Sequence, residues 1–152
     1  MTTVLNGIDE LKANIGNHMG YSPWIEVTQD VVNQFADATG DHQWIHVDVE
    51  RAKAESPFGG PIAHGYLTLA LGPRLLPETV RITGFKLGVN YGADRLRFPS
   101  PVPVGAKLRL GAEIKDVEDV SGGVQVRMLM TFEVEGASKP SCIVEALYRY
   151  FV

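Results

Sequence analysis

The chain has 152 residues, of which 45% are hydrophobic and 21% charged, and its formal net charge at pH 7 is −4. This composition is typical of a globular protein, and a mildly acidic chain without a block of like charges argues against a nucleic-acid partner. No apolar run has the length of a membrane span or of a signal-peptide core, so we expect a cytoplasmic protein without a membrane partner. The length predicts one domain over residues 1–152.

The first strong helical pattern follows Thr28. Apolar residues then recur at helical spacing as far as Ala38, Thr28 is a suitable N-cap, and Gly40 is expected to end the helix. A second short helix is predicted to begin at Asp48 and to be broken by the proline- and glycine-rich stretch 56–61. The residues between the two helices are therefore expected to form a connecting segment, where a scaffold on either side can position functional side chains.

From Ile62 to about Leu76 the chain is almost wholly apolar, which predicts one helix buried on nearly all sides. The rest of the chain alternates apolar and other residues, as half-buried antiparallel strands do. The expected fold class is α+β, with one long antiparallel sheet wrapped around a central apolar helix. The alternating stretches are residues 85–91, 108–114, 124–134 and 146–150.

The last strand carries Tyr148, Tyr150 and Phe151. An apolar strand at the edge of a sheet exposes unpaired backbone groups that invite pairing with another chain. We therefore expect this strand to lie at an edge and the protein to form a homodimer.

Asp41 and His46 stand five residues apart in the predicted connecting segment. A histidine with a reference pKa near 6.5 can accept a proton at neutral pH, and a nearby carboxylate can fix its tautomer or share the water that it activates. The residues alone leave another interpretation open, in which Asp41 caps a turn and His46 is structural.

Gly65 follows at the start of the predicted apolar helix. The first N–H groups of a helix lack intrahelical partners, so that of Gly65 could donate to a developing oxyanion. The missing side chain could equally serve close packing. The preceding His64 is expected to orient the helix start.

The segments 40–46 and 62–65 resemble the signature of the MaoC-like (R)-specific enoyl-CoA hydratases, which have the hotdog fold. The resemblance implies reversible addition of water to a trans-2-enoyl-CoA, giving the (R)-3-hydroxyacyl-CoA. Asp41 and His46 would be the catalytic pair, and the Gly65 N–H would polarise the thioester carbonyl. Coenzyme A would be part of the substrate, so no cofactor is expected. The matching residues are Gly40, Asp41, Ile45, His46, Ile62, Ala63, His64 and Gly65.

The chain is most similar to a single-hotdog branch that includes nodulation-protein-N-like dehydratases, on account of the segments 90–92 and 97–102. It departs from the family pattern at Gln43 and Trp44, where most members have asparagine and proline. Trp44 is therefore expected either to line the acyl pocket and alter its shape or to pack into the core under the loop. The weaker substrate-binding candidates are Trp44, His64, Asn90 and Arg97.

Other signals in the sequence are weaker. Four basic residues near the proline-rich turn could meet the phosphates of coenzyme A or simply form a solvated face. His42 and His46 have the spacing of zinc ligands on a helix, but Gly40 argues against a helix there, and no metal is expected. Two further functions stay open, a hotdog acyl-CoA thioesterase and a non-catalytic acyl-binding partner subunit. The four basic residues are Arg95, Arg97, Lys107 and Arg109.

Overall fold

The computed structural model describes residues 1–152 and has an α+β architecture, as the sequence predicts. None of its helices combines the length and the apolar character needed to cross a bilayer. The helices are α1 (Gly7–Ala13), α2 (Gln29–Thr39), α3 (Trp44–Val47), α4 (Val49–Glu55), α5 (Gly65–Ala70) and α6 (Gly72–Thr79). The strands are β1 (Thr3–Asn6), β2 (His18–Tyr21), β3 (Ile25–Glu26), β4 (Val80–Thr83), β5 (Leu87–Arg97), β6 (Lys107–Val120), β7 (Gly123–Val134) and β8 (Cys142–Phe151).

A six-stranded sheet organises the molecule. Its strands follow the order β2, β6, β7, β8, β5, and the short β3 also pairs with β6. All of these pairings are antiparallel, whereas β1 and β4 form a separate parallel pair. The strands β6, β7 and β8 follow one another in the chain and pair side by side, so the centre of the sheet is built from consecutive segments.

The core lies on one face of β6, β7 and β8. Along each strand, buried residues alternate with partly exposed ones, so the predicted alternation is confirmed for these three strands. The fully buried side chains include Leu110, Met128 and Phe132. The helices α5 and α6 cover this apolar face and contribute Leu67 and Leu75 to the same cluster.

The prediction of one buried helix from Ile62 to Leu76 is wrong. The chain forms two short helices, because Pro73 has no N–H to continue the first one and instead occupies the first turn of α6. Burial is also one-sided, since Tyr66 retains 69% of its exposure and Arg74 is exposed. An apolar composition therefore overstated the burial of this segment.

The expected position of the last strand is wrong as well. β8 lies between β7 and β5 and is paired on both sides, so the strand at this edge of the sheet is β5. All residues of β5 except Val89 and Leu96 are exposed. Its register against β8 shifts between Asp94 and Arg97, where Arg95 has a positive φ of 53°. An edge of this length is open to pairing along most of its backbone.

Candidate active site

Asp41 leaves the end of α2 on an exposed turn. Thr28 caps this helix by accepting a hydrogen bond from the Val31 N–H, as predicted. At its other end Gly40 has φ 80° and donates its N–H to the Ala36 carbonyl at 2.8 Å. A left-handed residue at this point turns the chain, and glycine adopts that conformation without steric strain. Asp41 is therefore presented at the helix terminus.

His46 lies in the short helix α3 rather than in an irregular connection. Its backbone N–H donates to the Gln43 carbonyl at 3.0 Å, and α4 follows directly, capped by the Asp48 side chain. The expectation of an irregular segment was therefore wrong for His46 and correct for Asp41. Because α3 fixes its backbone, His46 is carried into the interior and retains only 6% of its exposure.

The His46 ring is held by a main-chain carbonyl. Its Nδ1 lies 2.6 Å from the oxygen of Ile62. A carbonyl oxygen can only accept, so Nδ1 carries the proton and Nε2 keeps a free lone pair. Burial lowers the pKa of His46 below its ordinary value and the charge of His64 adds to this, while the Ile62 carbonyl and Asp41 act in the opposite direction. The neutral ring with an accepting Nε2 is the form that a general base requires.

His64 connects the two segments of the site. It precedes α5 and retains 2% of its exposure, and its Nε2 donates to the main-chain oxygen of Asp41 at 2.9 Å. Its ring stacks on that of His46, with the centroids 3.9 Å apart and the planes inclined by 26°. The ring makes no capping hydrogen bond to α5, and the predicted role of orienting the helix start stays a prediction.

Three side chains converge at this point. One carboxylate oxygen of Asp41 and one ring nitrogen each of His46 and His64 all lie within 4.8 Å of one another. Two acceptors at that separation can share a single water, because each hydrogen bond spans about 2.8 Å. The same groups are of the types that bind transition metals, so the expectation of no metal stays a prediction.

Gly65 begins α5, and no side chain caps this helix start. A Cβ at Gly65 would lie 3.1 Å from the nearest atom of the Phe98 ring, so the close packing anticipated for this glycine is observed. The role of its N–H as a donor stays a prediction. Beside it a cavity of about 330 Å³ opens between Ile62, Phe98 and Ser141.

The remaining substrate-binding candidates make no hydrogen bond to the pair. Trp44 is partly buried beneath the Arg51 guanidinium, 4.3 Å from its ring centroid, and lines none of the five cavities. Asn90 lines a second, mostly apolar cavity of about 360 Å³ beside α5 and β8. Arg97 is exposed and donates to the Leu96 carbonyl. Their contacts with substrate stay predictions.

The four basic residues near the proline-rich turn do not form one cluster. Arg95 and Arg97 are on β5, whereas Lys107 and Arg109 are on β6, and two strands separate them. Three strand spacings amount to about 14 Å. Arg109 is also engaged, with its Nη2 2.8 Å from Glu133. A joint phosphate site of all four is therefore wrong.

Two acceptors in the site could not be predicted from the sequence. They are the main-chain carbonyls of Ile62 and Asp41, which receive the His46 and His64 rings. Every residue has a carbonyl, so no residue type marks these positions. The only signal was the nearness of both segments in the family pattern.

Known proteins resemble this chain in sequence and in fold. A family model described as MaoC like domain matches residues 10–135. The chain is 51% identical over 144 residues to the 3-hydroxyacyl-thioester dehydratase Z of Mycobacterium tuberculosis, covering 94% of this chain and 95% of that protein. It is 40% identical to nodulation protein N of Rhizobium meliloti, covering 88% and 84%. The R-hydratase PhaJ1 from Pseudomonas aeruginosa matches in structure with a TM-score of 0.72, at 24% identity, over 90% of this chain and 81% of that one. The shared architecture is the hotdog fold, as predicted.

Proposed function

Since this chain belongs to the MaoC-like domain family, we propose that it is a hydro-lyase that adds water reversibly to trans-2-enoyl-CoA, giving (R)-3-hydroxyacyl-CoA. The predicted family resemblance is thereby confirmed. A thioester substrate is supported by the relative that is named a 3-hydroxyacyl-thioester dehydratase. The proposed (R) configuration is supported by a protein of the same fold that is named an R-hydratase.

The observation that carries this proposal is the hydrogen bond from His46 Nδ1 to the Ile62 carbonyl. It leaves Nε2 of a buried, neutral imidazole free to accept a proton, and one ring nitrogen of His46 lies within 4.8 Å of an Asp41 carboxylate oxygen. A base and a carboxylate at this separation suit the handling of one water molecule. General acid–base catalysis by such groups contributes about a hundredfold to ten thousandfold in rate.

In the proposed reaction, Asp41 and His46 hold the water together. His46 Nε2 takes one proton from the water as its oxygen bonds to C3 of the enoyl group. The proton taken by His46 passes on through Asp41 to C2, so the elements of one water molecule are added across the double bond and both side chains return to their starting states. The Gly65 N–H polarises the thioester carbonyl, whose oxygen gains negative charge when C3 is attacked. Removal of one such donor elsewhere lowers rates by about a hundredfold to a thousandfold.

The test is to incubate the protein with crotonyl-CoA and follow two signals. Loss of the enoyl absorbance without release of coenzyme A supports hydration, and chiral analysis of the product should give the (R) isomer. Release of the free thiol would indicate a thioesterase, and binding without either change would indicate a non-catalytic subunit. The chain itself contributes little to a thiol assay, because Cys142 is buried and its pKa is raised to about 12.

We also propose a homodimer that pairs through β5. This strand is hydrogen-bonded on one side only, and Leu87 at its start retains 55% of its exposure. Sedimentation should give twice the chain mass of 16.6 kDa at micromolar concentration. Leu87→Lys should weaken the dimer by placing two charges near the shared edge, whereas Ile15→Lys, at an exposed position outside the sheet, should not. A wild-type monomer that is fully active would contradict the proposal.

A further inference from the structure

The buried ring of His64 makes contacts that the proposed reaction does not use. It packs between two other rings, stacked on His46 at 3.9 Å and tilted against Phe35 at 4.9 Å. Its Nε2 is bonded to the main-chain oxygen of Asp41, and its Nδ1 is buried without any partner. An apolar ring would fill the same space without burying an unpaired nitrogen, so packing alone does not explain an imidazole here.

The tautomer of His64 follows from this contact. The Asp41 carbonyl can only accept, so Nε2 carries a proton, and in the neutral ring Nδ1 then has the lone pair. His46 has the opposite tautomer, with its proton on Nδ1. The two stacked rings therefore each donate to a main-chain carbonyl of the other segment, His46 to residue 62 and His64 to residue 41.

The hydrogen bond from His64 matters because few other contacts fix the position of Asp41. It is exposed and follows the last residue of α2 by two positions. Its other contacts are long, with its N–H 3.5 Å from the Thr39 hydroxyl and its carboxylate 3.4 Å from the Gln43 N–H. The bond from His64, at 2.9 Å, is the shortest that residue 41 makes.

We propose that His64 is a positioning residue, whose Nε2–H fixes the Asp41 backbone and thereby places the Asp41 carboxylate opposite His46. This inference rests on the proposed function, since it assumes that Asp41 acts on the reacting atoms. A misplacement of about 1 Å in such a group can lower a rate by about a hundredfold.

Two variants distinguish the effect of losing the Nε2–H donor from the effect of losing the aromatic ring. His64→Phe keeps an aromatic ring in the stack and removes the donor, whereas His64→Gln removes the ring and keeps an amide donor near the position of Nε2. We expect His64→Phe to lower kcat by about tenfold to a hundredfold with KM within about threefold of wild type. His64→Gln should recover kcat to within about threefold. Phe35→Leu, which alters the packing on the other side of the ring, should also stay within threefold of wild type.

The outcome is decided by kcat together with the melting temperature. Loss of kcat in the folded phenylalanine variant, with recovery in the glutamine variant, supports the inference. Wild-type turnover by His64→Phe would overturn it, and so would an equal loss in both variants, because the ring rather than the donor would then matter. Hydratase activity of the wild-type protein tests the proposed function separately.

A second measurement does not depend on the folding of any variant. Two-bond proton–nitrogen correlation spectra of the wild-type imidazoles report which ring nitrogen carries the proton. We expect a proton on Nε2 of His64 near pH 7, and we expect His46 to be protonated at Nδ1 alone. His64 protonated at Nδ1 alone would overturn the inference even if the protein is an active hydratase.

Discussion

The centre of the sheet and the candidate site bury their side chains by different means. In β6, β7 and β8 the buried groups are apolar, as with Leu110 and Phe132, which are fully buried cross-strand neighbours. In the site the buried groups are the imidazoles of His46 and His64, and each is bound to a main-chain carbonyl. The core depends on the area removed from water, whereas the site depends on directed hydrogen bonds.

Substitutions in these two regions should therefore affect different properties of the protein. A change in the core should alter how much protein is folded, while a conservative change in the site should alter what the folded protein does. The two imidazoles also tie the segment around residue 41 to that around residue 62, so the site is fixed by its own hydrogen bonds in addition to the sheet. The four predictions below test this separation.

The largest expected effect is the loss of the catalytic pair. Asp41→Asn and His46→Asn should each lower hydration by about a hundredfold to ten thousandfold, because each removes a positioned acid or base. In His46→Asn the new amide can still donate to the Ile62 carbonyl from about the position of the His46 Nδ1, so the fold should be kept. Steady-state rates with melting curves check this, and His42→Gln, at an exposed position, is the control. Near-wild-type turnover by a folded variant would remove that residue from the mechanism.

A core substitution should have the opposite signature. Phe132 is fully buried on β7, so Phe132→Ala should lower the free energy of unfolding by about 3–5 kcal/mol. The rate per folded molecule should stay within about threefold. Denaturant titration gives the first quantity and active-site-normalised rates the second, with the exposed Ile15→Ala expected within about 0.5 kcal/mol of wild type. A selective loss of rate would show that the sheet positions the site directly.

The pH dependence should distinguish the two neighbouring histidines. Burial lowers the pKa of His46, and hydration needs its unprotonated form, so kcat/KM should fall only as the pH drops below the ordinary histidine value of about 6.5. At pH values well below the pKa of His46, kcat/KM should fall by about tenfold per pH unit. His42 is exposed and lies beside Asp37, whose hydrogen bond raises the pKa of His42. His42→Gln should therefore leave the acidic side of the pH profile unchanged. A shift of the profile in this variant would show that His42, and not His46, is the group that titrates.

Much of the local structure could be predicted from the sequence. The cap at Thr28, the stop at Gly40 and the start at Asp48 each depend on a few neighbouring residues, and all three are found. The strands β6, β7 and β8 were also predictable, since alternation reports a strand that is buried on one face.

The errors came from contacts between distant segments. The edge position of β5 depends on which strands pair, and the alternation in a strand does not reveal its neighbours. The break before α6 had a local signal in Gly72 and Pro73, which the apolar composition outweighed. The pair Asp41 and His46 was identifiable as a pattern, but the carbonyl of Ile62 that fixes the tautomer was not.

The smallest expected effect concerns Trp44, which the sequence assigns to the acyl pocket. In the structure its ring lies beneath Arg51 at 4.3 Å, and a cation–π contact at an exposed site contributes about 0.5–1 kcal/mol. Trp44→Pro suits the backbone, because Trp44 is the first residue of α3, where proline is favoured, and Gln43 before it has an extended ψ of 136°. We therefore expect a loss of about 0.5–1 kcal/mol in stability, with an unchanged ratio of rates on crotonyl-CoA and longer enoyl-CoA substrates. Arg51→Ala is the matched control, since it removes the same contact from the other side. A changed ratio in Trp44→Pro alone would restore the pocket assignment, because a pocket contact discriminates between chain lengths by about 1–3 kcal/mol and a surface contact does not.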